Sequence, residues 1–151
     1  MRSSARTATP GYKSRVATNA SERSKAWARS YVDLCVQYTP ATAPAIPVLA
    51  DGERGNGNIY YTDMPAFIAE PGFLTHSPYL EWVVRPENLA LLATLAVLSI
   101  IQAAPEGGTI ALSAGHGQKE EYDPGVTTTD HVEADLTADV IERIARLLRA
   151  V

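Results

Sequence analysis

Two residues of this chain pair a metal-competent side chain with a chain context suited to presenting it. His116 stands in Ser113-Ala114-Gly115-His116-Gly117, and Glu133 follows 17 residues later. The glycines flanking His116 open backbone angles closed to other residues and permit close approach to a bound group. An imidazole nitrogen and a carboxylate oxygen are both suitable zinc ligands. Spacing alone leaves a second reading open, in which His116 is a structural hydrogen-bonding residue. Glu70 ends the apolar run Ala66-Phe67-Ile68-Ala69. Taken alone it is a solvated carboxylate or a helix cap.

The elements that must position these side chains follow from pattern. Residues 66–69 and 109–114 read as strands leading to Glu70 and to His116. Residues 32–38, rich in β-branched and aromatic side chains, read as a third strand leading to Gln37, Tyr38 and Thr39. Residues 12–17 suggest a short further strand. Asn19 and Ser21 are N-cap candidates for a helix over 21–30, with Trp27 and Tyr31 one turn apart. Pro40, Pro44 and Pro47, with Gly52, Gly55 and Gly57, make residues 39–58 a loop region. Pro86 and Glu87 open a long apolar helix running to about residue 103, which Pro105, Gly107 and Gly108 stop. Leu136, Val140, Ile144, Leu147 and Val151 recur at helical spacing. Asp135 and Asp139 come early and Arg143, Arg146 and Arg149 late, the order that complements a helix dipole. Strands alternating with helices predict an α/β domain, a mainly parallel sheet flanked by helices. In such sheets ligands bind beyond the carboxyl ends of the strands, so Glu70, His116 and Thr39 would converge on one edge.

Composition narrows the function classes. At 151 residues the chain has material for one sizeable core, and 46% hydrophobic against 20% charged residues excludes a disordered chain. Cys35 is the single cysteine, which excludes an internal disulfide framework and a multi-cysteine zinc module. The most apolar stretch, 89–104, is 16 residues long and carries Thr94, Ser99 and Gln102. A membrane span needs ~20 apolar residues, so a buried helix is expected and no membrane span. The first 18 residues carry arginines without the apolar core of a secretory signal. The net charge of −4 divides into +6 over residues 1–32 and −10 over the rest. Residues 1–10 are expected to be a flexible basic tail and 11–151 one domain. A basic arm attracts anionic polymers, yet no nucleic-acid motif or interleaved aromatic accompanies it, so no specific nucleic-acid partner is expected.

Several spaced motifs together resemble one family. Gly115-His116-Gly117, Asp123-Pro124-Gly125 and Glu133-Ala134-Asp135-Leu136 resemble the opening of the zinc-dependent N-acetylmuramoyl-L-alanine amidases of bacterial cell-wall metabolism and phage lysis. Met64-Pro65-Ala66-Phe67-Ile68-Ala69-Glu70-Pro71-Gly72-Phe73-Leu74-Thr75-His76 resembles that family's end, with its catalytic Glu. Ser21-Glu22-Arg23, Ala26 and Val32-Asp33-Leu34-Cys35-Val36 resemble its middle more faintly. The order here is middle (11–63), end (64–104), beginning (109–151), which implies a circularly permuted amidase-like domain. Residues 104–108 would form the new link, and the chain ends would lie close together.

The resemblance implies zinc ligation by His116 and Glu133, and a water-activating role for Glu70. The family's third ligand is a histidine, for which this chain has Thr39, and no histidine occurs in residues 1–75. His131, two residues before Glu133, is the remaining candidate to complete the set. The implied substrate is peptidoglycan, cut at the amide between muramic acid and L-alanine. The alternative is a non-catalytic amidase-like domain that binds cell wall or serves as a structural part alongside phage or cell-envelope proteins.

Overall fold

A computed structural model describes residues 13–40, 46–49, 53, 55–116 and 123–151. In chain order these form β1 (Lys13–Arg15), α1 (Glu22–Tyr38), α2 (Asn56–Tyr60), β2 (Ile68–Glu70), α3 (Ser77–Val83), α4 (Pro86–Ala103) and α5 (Glu133–Leu148). Residues 1–12, and with them the tail and its approach to the other chain end, lie outside the described residues.

The core is built on α4, which begins at Pro86 as its pattern predicts. One stripe, Leu89, Leu92 and Leu95, packs with Tyr31 and Cys35 of α1 and with Tyr79 and Val83 of α3. The other, Ala93, Val97 and Ile100, packs with Ile144 of α5. A helix covered on two sides must be apolar over most of its circumference. By length and composition α4 could cross a membrane, but here that apolarity is used in packing between α1 and α5. Burying a leucine such as Leu92 contributes about 1.5–3 kcal/mol. Inside this core Trp27 Nε1 donates to Ser99 Oγ at 3.2 Å, and Ser99 Oγ donates to the Ala96 carbonyl at 2.7 Å. The Trp27 and Phe67 rings meet edge to face at 5.0 Å.

The mainly parallel α/β sheet is corrected, and the circularly permuted amidase-like layout with it. Among the described residues the named strands are β1 and β2, three residues each and antiparallel, with Lys13 opposite Glu70 and Arg15 opposite Ile68. Residues 32–38 are not a strand. Ala28, Tyr31, Val32 and Cys35 are buried along one side of α1, so helical spacing and packing prevail over β-branched composition. Ser21 does act as the N-cap, its Oγ accepting from Ser24 N at 3.1 Å, but the helix continues past residue 30 to Tyr38. Residues 109–114 are not a strand either. Their alternation survives as burial, with Ile110 and Leu112 packed against the α4–α5 core and Thr109, Ala111 and Ser113 exposed. The link over 104–108 is a turn, closed by Gly107 N donating to the Ala104 carbonyl at 2.9 Å.

Candidate functional site

The N-terminal end of α5 gathers the chemistry. The loop over 123–132 folds back onto this end, so Glu133 N donates to the Val126 carbonyl at 2.9 Å and Ala134 N to the Pro124 carbonyl at 3.1 Å. These bonds satisfy amides that the first turn of a helix otherwise leaves open. An isolated bridge between Thr127 and Val132 closes the loop. From the other direction, the extended chain leading to His116 is tied to α5 by Thr137 Oγ1, which lies 2.7 Å from the Gly115 carbonyl. His116 itself takes a left-handed backbone, φ 62°.

His116 and Glu133 are thereby brought together. His116 Nε2 lies 3.5 Å from Glu133 Oε1, while Glu133 Oε2 accepts from Val126 N at 2.8 Å. On the opposite edge of the imidazole, Nδ1 lies 3.0 Å from Asp123 Oδ2, and Asp123 Oδ1 accepts from Gly125 N at 3.0 Å. The His116 and Glu133 side chains are 19% and 29% exposed, so the pair is sheltered yet open to solute. Gly125, with φ 67°, lies across both, and a Cβ there would stand 2.6 Å from Glu133 Oε2 and 2.8 Å from His116 Cδ2.

The Nε2–Oε1 separation is long for a hydrogen bond. It suits two neighbouring ligands of one ion, since nitrogen at ~2.0–2.1 Å and oxygen at ~2.0–2.2 Å from a tetrahedral metal stand about 3.4 Å apart. The pair therefore fits two positions of a zinc site. A third is not assembled, because no group of three His, Cys, Asp or Glu side chains among the described residues is arranged to hold an ion. The main chain of His131 is tied to Thr128, its carbonyl accepting from Thr128 N and Oγ1 and its amide donating to Thr128 Oγ1. Thr39 is not at a strand end. It caps the C-terminus of α1, with Oγ1 donating to the Cys35 carbonyl at 2.8 Å.

Glu70 is engaged elsewhere. It ends β2, with its carboxylate 2.8 Å from Arg15 Nε, and Arg15 Nη1 donates to Glu53 at 2.6 Å. The ties of Glu70 thus run to β1 and not to the His116–Glu133 pair. The convergence expected at one sheet edge is replaced by a site at a helix end. Sequence reasoning gives Asp123 no role, since Asp123-Pro124-Gly125 enters it only as one of the motifs of the resemblance. Comparison with protein-family models, curated proteins and solved structures finds no match to this chain.

Proposed function

We propose that this chain is a peptidoglycan hydrolase, amidase-like in its motifs though not in its fold, whose zinc position is built on His116 Nε2 and Glu133 Oε1. The observation that carries the reading is their 3.5 Å separation, with one oxygen of Glu133 already satisfied by Val126 N and the other turned to the imidazole. The motif resemblance supplies the substrate class, the amide between muramic acid and L-alanine. Zinc, when bound, polarises a carbonyl and makes water acidic enough to attack near neutral pH. The resemblance assigns Glu70 the transfer of a proton from that water to the leaving amine. A carboxylate paired with Arg15 must leave that ion pair to reach such a water, so hydrolysis is expected to be slow unless the pair opens.

The Arg15–Glu70 pair favours a second reading, a non-catalytic domain that binds cell wall or forms part of a larger particle. One experiment separates the two. Protein purified without chelator is analysed for zinc and incubated with sedimented cell walls, and new alanine N-termini are counted. Stoichiometric zinc with slow amine release, lost in His116→Ala and Glu133→Ala, is the expected result. Wall binding without zinc or amine release selects the second reading, and neither binding nor release overturns both.

A further inference from the structure

We infer that Thr137 is a positioning residue of this site, its hydroxyl seating the Gly115–His116 peptide on α5 so that the imidazole is presented to Glu133. A threonine inside a helix ordinarily turns its hydroxyl onto a carbonyl three or four residues back. Thr137 Oγ1 has that acceptor, the Ala134 carbonyl at 3.1 Å, yet lies closer to the Gly115 carbonyl, at 2.7 Å. A hydroxyl carries one proton, and the shorter contact, at the ordinary O–H···O distance, takes it. The bond therefore ties α5 to a segment 22 residues earlier in the chain.

The Gly115 carbonyl belongs to the same planar peptide unit as His116 N. Fixing that carbonyl fixes the plane from which His116 departs, and His116 departs from it at φ 62°. A non-glycine residue is uncommon in this left-handed region and persists there where its surroundings hold it. Thr137 supplies that hold on the N-terminal side of the residue. Glu133 and Thr137 stand four residues apart on α5, which puts them one turn apart on one face of the helix. That face receives the histidine twice. Thr137 takes the main-chain carbonyl before it, and Glu133 Oε1 stands 3.5 Å from its Nε2. Groups that orient a metal-ligating side chain govern metal affinity without touching the ion. The consequence for zinc rests on the metal position proposed above, whereas the seating of His116 does not.

The test uses the full-length, metal-free protein. A Cβ at Gly125 would stand 2.8 Å from His116 Cδ2, so the ring Hδ2 proton and a Gly125 Hα proton should give a nuclear Overhauser contact, assigned with His116→Gln. The wild type is expected to show it. Thr137→Val, which keeps the side-chain shape and loses the hydroxyl, is expected to lose it, and Thr137→Ser to keep it. Zinc affinity in a chelator competition should fall about 10-fold in Thr137→Val, the lower end for such outer contacts, and return in Thr137→Ser. A wild type without the contact overturns the inference whether or not the variants fold. So does an unchanged contact in folded Thr137→Val, and so does its loss in Thr137→Ser, which would point to side-chain shape and not to the hydroxyl. Should Thr137→Val not fold, Thr137→Ala, with the best helix former, takes its place. Failure of both to fold assigns Thr137 to the fold alone and overturns the inference. Loss of the contact with zinc affinity unchanged, or in a protein that binds no zinc, upholds the seating by Thr137 and overturns the metal position instead.

Discussion

At the scale of the residue, the site depends as much on an absent side chain as on those present. Gly125 takes a left-handed backbone and lies against Glu133 Oε2 and His116 Cδ2, at distances a Cβ would reduce to 2.6 and 2.8 Å. Gly107 also has a positive φ, 78°, but nothing within 4 Å of its Cβ position. The pair separates backbone strain from crowding. Gly107→Ala is expected to cost about 1–2 kcal/mol, the penalty of a left-handed alanine. Gly125→Ala adds displacement of Glu133 or His116 and should cost about 1–3 kcal/mol more. Urea unfolding of the two variants decides, and equal losses would show that the turn tolerates a side chain against the pair. His116 and Glu133 could be named from the sequence because the short motifs around them, Gly115-His116-Gly117 and Glu133-Ala134-Asp135-Leu136, carry the family resemblance locally. That Asp123 contacts the same ring could not, because its position depends on how the loop over 123–132 returns to α5.

At the scale of the element, α4 and α5 were the most legible and α1 the least. Pro86 and the apolar run after it define α4, while α5 combines an apolar stripe with acidic residues in its first turn and Arg146 in its last. In α1 the run Val32-Asp33-Leu34-Cys35-Val36 has the composition of a strand, yet Tyr31, Val32 and Cys35 reach the core only because the backbone is helical. The join between α1 and α4 includes a polar contact that sequence pattern does not disclose. Ser99, 1% exposed, accepts from Trp27 Nε1 at 3.2 Å. Ser99→Ala strands that indole N–H inside the core and should destabilise the protein by about 1–3 kcal/mol. Trp27→Phe in the Ser99→Ala background should cost less than Trp27→Phe alone, since the bond is already lost. A double-mutant cycle on unfolding free energies reads this coupling, and strict additivity would count against it.

At the scale of the whole molecule, the core is a helical assembly in which α4 lies between α1 and α5, with a two-stranded sheet beside it. Cys35 sits within this core at 0% exposure, and burial pushes its thiol from an ordinary 9.0 up to about 12, with a smaller opposing effect from Tyr31. The thiol is neutral in the fold and ionises first in the unfolded chain. Its contribution to stability is therefore full below pH 9.0 and is lost as pH rises toward about 12. Urea unfolding over that interval should show a steeper decline for the wild type than for Cys35→Val, and parallel declines would contradict a buried neutral thiol. By itself the sequence determined what is written locally. Caps, prolines, glycines and apolar periodicity specified α4, α5, the start of α1 and the turn after residue 103, and the motif resemblance singled out His116 and Glu133. Tertiary structure decided which segments pair and which side chains meet, because strand pairing and loop return depend on partners distant in the chain. Residues 109–114 alternate like a strand, but their alternate residues Ile110 and Leu112 are covered by α4 and α5, and helix packing took the place that a parallel neighbour would have filled.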